Sequence, residues 1–516
     1  MLQFRPRRKI ERVCTMVHAK SEAFSIMETS VEQIHDAVRS GALTFRCLIQ
    51  HCLDRIHAFD QQGPKLNALI YLNPKALEQA DGFDQEFKRT GKLRPLQGIP
   101  VVLKDNYDTA DMPTTAGAAA LAGSVPLRDA TTVAKLRQSG ALILAKANLH
   151  ELALAGLTNS SVTGQSRNPY DLERTPGGSS GGTGAALAAN FAVLGTGSDT
   201  QNSIRSPSSA NSLVGVRPTR GLISRAGLVP VSSTQDAAGP ITRNVSDAAR
   251  MLDAMCGYDP QDPVTAFSAG RIPDSYSAGL DRNALQGARL GVLKTLFGNR
   301  PEHEEVNHVT EQALEMMRRA GAVLIPVADL AMDTAVLIAD PDVQKYEFKA
   351  LLNKYLEACG STTPVRSLAG ILASGKYLKT NESFLRTAES YADGSQEPDY
   401  WRRLAKIEDL RVKLANLLAE NNLQALVYPH QKRLAVLIGE PVQIDRNGIL
   451  ASLTGFPAIT VPGGFSPPTA QAPIGVPIGI EFLGQPWSEP QLLRLAYSFE
   501  QATHLRRPPQ STPELG

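Results

Sequence analysis

Hydrophobic residues follow two spacings along this chain, and together they predict a protein of mixed α/β structure. From residue 30 to 87, apolar side chains recur every three or four positions, as in VEQIHDAVRSGALTFRCLIQHCLDRIHAFD, which predicts a helical region. Within it, Gly41 is a helix stop signal and Thr44 an N-cap. Shorter apolar runs follow, and IPVVLK and ALILAKAN predict strands on either side of the helical segment DATTVAKLRQ. This alternation indicates a mixed or parallel sheet covered by helices.

The second half of the chain returns to the same alternation after an irregular helical interval. RLGVLK predicts a strand, and EEVNHVTEQALEMMRRAGAVLIPV predicts a helix followed by a strand. Three further strands are predicted from ALVYP, GFPAITVPGGF and IGIEFLG, and EPQLLRLAYSFEQAT predicts a closing helix. We therefore expect one α/β domain over residues 27–506, built on a single large mixed sheet. Residues 329–422, called the helical region below, are expected to be a variable part that forms the substrate pocket, and 507–516 a tail.

Composition and charge narrow the class of protein. The chain has 516 residues, of which 42% are hydrophobic and 20% charged, as in an ordinary globular protein with a sizeable core. Its 53 basic and 51 acidic residues nearly cancel, so no strong field favours nucleic acid or an anionic membrane. Residues 1–26 are basic but lack the apolar segment of a secretory signal, so we expect a poorly ordered extension. A small-molecule substrate is favoured.

The cysteines give no sign of a disulfide framework or a metal site. The five of them are scattered without a CxxC pair, which favours a reducing, cytoplasmic location. Cys47 and His51 lie four apart on a predicted helix, but the apolar stripe of that helix explains it as core packing. We expect no metal, no cofactor, and a monomer or homodimer.

Glycine and serine crowd the segment from Pro176 to Arg220, where the most unusual chemistry of the sequence lies. A flexible linker is disfavoured because the segment encloses the helical run TGAALAAN and the apolar run FAVLG. GGSSG also fits the G-x-S-x-G pattern of a nucleophile elbow, but the preceding NPYDLERTP is polar and holds two prolines instead of a buried strand. A phosphate-binding loop is disfavoured because its lysine is missing.

Three blocks together resemble the amidase signature family over about residues 28–505. GIPVVLKDN resembles its lysine block, PGGSSGG its first serine block, and SDTQNSIRSPSSANSLVGVRPT its nucleophile block. Ser179 and Ser203 lie 24 positions apart, the spacing of the family's two catalytic serines. The resemblance implies a large mixed sheet with helices on both faces, and a catalytic triad in which Ser203 attacks the amide carbonyl, Ser179 relays the proton and Lys104 is the base.

The same resemblance implies further features of the site. The peptide bond from Gly178 to Ser179 is expected to be cis. An oxyanion hole is expected from the backbone N–H groups of residues 200–203, which are Thr200, Gln201, Asn202 and Ser203. Asp199 and Arg205 are expected to anchor this loop.

Lys104 can act as a base near neutral pH only if its pKa is lowered. An alcohol needs a base to become a strong nucleophile, and a lysine is a base only when neutral. Since free lysine titrates near about 10.4, burial has to lower its pKa by several units. The apolar lead-in IPVVL predicts such burial. The neighbouring Asp105 would oppose it, unless strand alternation points that carboxylate to the opposite side.

One departure from the family concerns the nucleophile loop, where relatives carry two glycines and this chain has Gln201 and Asn202. Asparagine tolerates φ > 0 better than most residues, so we expect that conformation at Asn202. Gln201 is expected either to face the substrate or to brace the loop. Tyr346, Leu352 and Tyr377 are further candidates for substrate binding, although core packing also explains each of them.

Several functions are compatible with this site. A free-standing amidase is favoured over the glutaminase-type component of a tRNA-dependent amidotransferase (its A chain), because the helical region lacks the family's glutamine-recognition segment. A carbamate, ester or aryl-acylamide hydrolase would use the same triad. A non-catalytic binding module would have no reason to keep Lys104, Ser179 and Ser203 together.

Overall fold

The computed structural model describes residues 24–515, so the extension predicted for residues 1–26 lies almost entirely outside the described residues. An 11-stranded sheet forms the centre of the described chain, in the order β1-β3-β2-β6-β8-β7-β12-β13-β11-β9-β10, and β4 and β5 form a small separate sheet. The strands are β1 (Leu69–Leu72), β2 (Pro100–Lys104), β3 (Leu142–Ala147), β4 (Asn159–Ser160), β5 (Gly164–Gln165), β6 (Leu194–Asp199), β7 (Val214–Arg217), β8 (Ala237–Thr242), β9 (Arg289–Leu293), β10 (Val323–Val327), β11 (Ala425–Pro429), β12 (Ala458–Phe465) and β13 (Pro477–Leu483).

The sheet is mixed, as the sequence predicted. β2 runs parallel to both of its neighbours, β3 and β6. At the other end, β11, β9 and β10 are also parallel. The strands between these two groups pair antiparallel.

Helices cover both faces of this sheet. Every residue of β2, β3, β6, β7, β8, β11 and β13 is buried, and because successive side chains of a strand point to opposite faces, both faces need cover. The α-helices of the described chain are α1 (Val31–Arg39), α2 (Phe45–Arg55), α3 (Ala76–Thr90), α4 (Thr131–Gln138), α5 (Gly181–Ala188), α6 (Arg205–Ala210), α7 (Val245–Met255), α8 (Glu304–Arg319), α9 (Thr334–Ala339), α10 (Gln344–Cys359), α11 (Leu368–Ser374), α12 (Glu382–Ser390), α13 (Pro398–Glu420), α14 (Ile449–Thr454) and α15 (Glu489–Thr503). No helix among residues 24–515 has the length and hydropathy of a membrane span.

The predicted helix signals near the start of the domain match the structure, with one exception. Gly41, the predicted stop signal, lies two residues after the end of α1 and has a φ of 76°, and the Thr44 side chain caps α2 by accepting from the backbone N–H of Cys47. The helical spacing predicted over residues 30–87 is, however, interrupted by β1, which pairs antiparallel with β3 at the edge of the sheet. Four residues are too few to show a period against the helical pattern on both sides, so this strand was missed.

The helical region fills the interval between β10 and β11. Within residues 329–422 the described chain forms α9 to α13 and connecting loops, with no strand. The tail is packed against the domain: Arg55, buried in α2, donates to the backbone carbonyls of Thr512 and Pro513, each at 2.8 Å.

Candidate active site

The three sequence blocks meet at the carboxyl ends of the parallel strands β2 and β6. Lys104 is the last residue of β2, and β6 ends at Asp199, just before the loop that carries Ser203. Ser179 and Ser180 directly precede α5 and approach both strands. The Ser180 backbone N–H and hydroxyl both donate to the Ser203 carbonyl, at 3.3 and 2.5 Å. The fold thus joins segments that are far apart in the sequence.

Lys104 is fully buried and in direct contact with the first serine. Its Nζ lies 2.7 Å from the Ser179 Oγ and 2.8 Å from the Ser198 Oγ, and it donates to the Ser198 carbonyl at 3.1 Å. Burial lowers the pKa of Lys104 to about 7, although the negative charges of Asp199 and Asp236 oppose the shift. A large fraction of this amine is therefore neutral near pH 7, as a base requires.

Asp105 faces away from Lys104, as strand alternation allows. Its carboxylate pairs with the buried Lys146 Nζ at 3.1 Å and accepts from the Thr115 backbone N–H at 3.0 Å and the Thr115 hydroxyl at 2.5 Å. Lys146 also donates to the Thr114 hydroxyl and the Pro113 carbonyl. The carboxylate next to Lys104 in sequence is thus neutralised by a different lysine.

Close backbone packing explains the glycines around Ser179. A Cβ at Gly182, in the first turn of α5, would lie 2.2 Å from the Asn148 carbonyl oxygen and 2.5 Å from that of Ala68. Only glycine lets α5 begin so close to these two segments. The peptide bond from Gly178 to Ser179 is cis, as the family resemblance implies.

The loop of residues 200–203 presents unused hydrogen-bond donors. None of its four backbone N–H groups donates to another described residue, whereas the next one, at Ile204, donates to the Asp199 Oδ2 at 3.0 Å. Adjacent unused donors at the turn before a helix are suited to hold a developing oxyanion. The Ser203 side chain is largely buried in this loop.

The expectation of a positive φ at Asn202 was wrong, and the Gln201 side chain is hydrogen-bonded to another residue of the protein. Neither residue has a positive φ. The Asn202 Oδ1 accepts from the Gly448 backbone N–H at 2.9 Å, which ties the loop to the start of α14 without a left-handed residue. The Gln201 Nε2 donates to the Asp342 Oδ2 at 2.5 Å. The Gln201 amide therefore connects the nucleophile loop to the helical region.

A network of buried charged side chains anchors the loop of residues 200–203, in agreement with the role expected for Asp199 and Arg205. The Asp199 carboxylate pairs with Arg205 and Arg217, each at 3.1 Å. Burial alone would raise the pKa of Asp199, but the two guanidinium groups outweigh it and hold that pKa well below its usual range. Arg205 also pairs with Glu481 at 2.5 Å and donates to the Gln201 carbonyl at 2.9 Å.

The predicted pocket residues of the helical region lie in its packed interior. The Tyr346 hydroxyl donates to Asp399 at 2.6 Å, and its ring packs against Tyr391. Leu352 and Tyr377 are buried in one apolar cluster with side chains of neighbouring helices. Their burial corresponds to core packing and not to the wall of an open pocket.

The helical region nevertheless reaches the site through other residues. Besides Asp342, Glu347 on α10 accepts from the hydroxyls of Ser232 and Thr234, in the loop before β8. Sequence reasoning missed these two carboxylates and also Ser198, although the position of Ser198 at the end of β6 was a usable signal. Among residues 24–515, no group of three or more His, Cys, Asp or Glu side chains is placed to hold a metal ion.

Comparisons with known proteins agree with this architecture. Residues 47–493 match the Amidase family. The crystal structure of a peptide amidase from Stenotrophomonas maltophilia superposes with a TM-score of 0.85 at 39% identity, covering 94% of this chain and 99% of that one. A protein of Arabidopsis thaliana named "Probable amidase" is 37% identical, covering 95% of this chain and 93% of its own length. The A chain of a glutamyl-tRNA(Gln) amidotransferase from Geobacter is 33% identical, covering 94% and 99%.

Fold, site and relatives define an enzyme of the hydrolase class that acts on amide C–N bonds. More particularly, the chain belongs to the amidase signature family, whose match extends over nearly its whole length.

Proposed function

We propose that this chain is a free-standing amidase that hydrolyses carboxylic amides through an acyl-enzyme on Ser203. The observation that carries the proposal is the 2.7 Å contact between the Lys104 Nζ and the Ser179 Oγ, made by a fully buried lysine whose pKa is about 7. A neutral amine at this distance is placed to take a proton from the hydroxyl.

The proposed reaction has two halves that use the same groups. Ser203 Oγ attacks the amide carbonyl carbon while its proton passes to Ser179 and the Ser179 proton passes to Lys104. The backbone N–H groups of residues 200–203 stabilise the resulting oxyanion. When the C–N bond breaks, the proton returns along the same relay to the leaving amine. Water then attacks the ester on Ser203, with Lys104 again as base, and releases the carboxylic acid.

The relatives bear on whether the chain acts alone. The peptide amidase superposes with a TM-score of 0.85, whereas the A chain of the glutamyl-tRNA(Gln) amidotransferase from Thermotoga maritima gives 0.68 at 26% identity. Together with the missing glutamine-recognition segment, this favours an enzyme that acts without partner chains on a small or peptidic amide. The proposal includes a cytoplasmic location and no cofactor.

The purified chain alone should release ammonia or amine from simple amides. A panel of matched p-nitroanilide, p-nitrophenyl ester and p-nitrophenyl carbamate substrates should show turnover of the anilide, with ester or carbamate turnover defining the breadth of the site. Ser203→Ala should abolish anilide hydrolysis, whereas Ser383→Ala, at an exposed position of α12, should not change it. An enzyme that turns over glutamine only when partner chains are added would instead be the glutaminase-type component of an amidotransferase.

A further inference from the structure

One charged side chain at the site has no partner. Arg446 lies in the segment that leads into α14, and its guanidinium makes no hydrogen bond or ion pair with another residue of the described chain. The adjacent Asp445 does not supply one, because its carboxylate accepts from Arg300 at 2.6 Å and lies 3.3 Å from the His303 Nε2. The other arginines of the site, Arg205 and Arg217, each have a carboxylate partner.

Arg446 lies close to both serine-bearing segments, through its side chain on one side and through its neighbour Gly448 on the other. At its far end it rests on Gly156, since a Cβ there would lie 2.3 Å from its Nη1. Gly156 in turn touches Gly178, where a Cβ would lie 3.0 Å from the Gly156 carbonyl carbon, and Gly178 directly precedes Ser179. At the near end, Gly448 donates to Asn202, the residue before Ser203. The guanidinium therefore contacts the residue that packs against the segment leading into Ser179.

The environment of Arg446 makes an unpaired cation costly. Arg446 is partly buried, and this burial lowers its pKa to about 10, with Asp199 opposing, so the group stays protonated at neutral pH. Burial lowers the pKa of His150, and the positive charge of Arg446 lowers it further. The backbone N–H of His150 donates to the Ser179 carbonyl. A charge that has lost part of its hydration and has no partner is unfavourable, and a bound anion would reduce that penalty.

We infer that Arg446 binds a carboxylate group carried by the amide substrate, so that the enzyme prefers amides with a carboxylate close to the scissile bond. This inference rests on the proposed function and names the substrate class of the same site. A guanidinium offers two parallel N–H donors to a carboxylate, which provides both affinity and orientation. The substrate class includes half-amides of dicarboxylic acids, with the charge on the acyl side, and N-acyl amino acids, with the charge on the amine side.

Two matched substrate pairs test the inference and distinguish the two sides. Succinyl p-nitroanilide is compared with butyryl p-nitroanilide for the acyl side, and N-acetylglycine with N-propylacetamide for the amine side. In the wild type, kcat/KM should favour the anionic member of one pair. Arg446→Met should reduce that preference about 10- to 100-fold, the range for a hydrogen-bonded charge pair. Arg446→Lys should retain part of it, because the charge remains.

The control removes one positive charge elsewhere. Arg89→Met, at an exposed position of α3, should leave the preference unchanged. Anionic-to-neutral ratios in Arg446→Met that stay within about twofold of wild type in both pairs would overturn the inference, as would a wild type that prefers the neutral member of both.

Binding measurements separate this inference from the proposed mechanism. In a Ser203→Ala background, succinyl p-nitroanilide and N-acetylglycine should bind measurably by calorimetry, and adding Arg446→Met should raise the Kd of the preferred one about tenfold or more. An unchanged Kd for both would refute the carboxylate subsite whatever the nucleophile is. Full activity of Ser203→Ala would refute the nucleophile assignment and leave the Arg446 comparison intact.

Discussion

Titration of Lys104 should govern how activity depends on pH. Burial lowers the pKa of this lysine from 10.5 to about 7, so about half of the enzyme carries the neutral base at pH 7. An unperturbed lysine would be neutral in fewer than about one molecule in a thousand at that pH. Because the neutral form is the active one, kcat/KM should rise with pH, increasing roughly tenfold from pH 6 to pH 8 before it levels off.

Two substitutions separate the base from a merely structural lysine. Lys104→Met should lose about two to four orders of magnitude in kcat/KM, and Lys104→Arg should not recover them, because a guanidinium stays protonated. Lys88→Met, at an exposed position of α3, is the matched control and should behave as wild type. The assay is initial-rate hydrolysis of one p-nitroanilide from pH 5.5 to 9.5. A midpoint near that of free lysine, or near-normal activity in Lys104→Arg, would refute the reasoning.

Three further predictions concern residues around the site. Lys146→Met removes the positive charge that neutralises Asp105 and should raise the midpoint of the pH profile, whereas Lys146→Arg should preserve it. An unchanged midpoint in the Met variant would contradict this reasoning. Gln201→Gly removes the hydrogen bond to Asp342 and should raise the activation free energy for kcat/KM by about 1 kcal/mol, equally for amides of increasing acyl size. A changed ranking of these amides would show instead that Gln201 faces the substrate. Asp199→Asn leaves Arg205 and Arg217 without their shared carboxylate charge and should lower the free energy of unfolding, measured with urea, by about 3–5 kcal/mol. A decrease below about 1 kcal/mol would mean that the network does not anchor the loop.

Periodicity predicted the elements that have long or well-bounded apolar runs. β2 and β3 follow from IPVVLK and ALILAKAN, and alternation that continues one residue past the end of β2 explains why Lys104 and Asp105 face different partners. β1 was missed because its four residues are flanked by helices, so local spacing carried too little information. Within the segment rich in glycine and serine, the run TGAALAAN overlaps α5, and the apolar run FAVLG overlaps the start of β6.

Long-range pairing explains what the sequence did not predict. The choice between a substrate-facing and a bracing Gln201 depends on Asp342, a residue 141 positions away that has no local signature. The same holds for Asn202, whose contact with Gly448 stabilises the loop without a positive φ. Tyr346, Leu352 and Tyr377 were candidates because they lie in an irregular helical region, yet apolar and aromatic side chains there are mostly required for packing the helices.

The proposed mechanism depends above all on Ser203 forming the covalent intermediate, and mass spectrometry of the enzyme treated with a fluorophosphonate tests this directly. We expect one adduct per chain, mapped after proteolysis to Ser203, and its loss in Ser203→Ala. An adduct on Ser179 with Ser203 unmodified would contradict the mechanism.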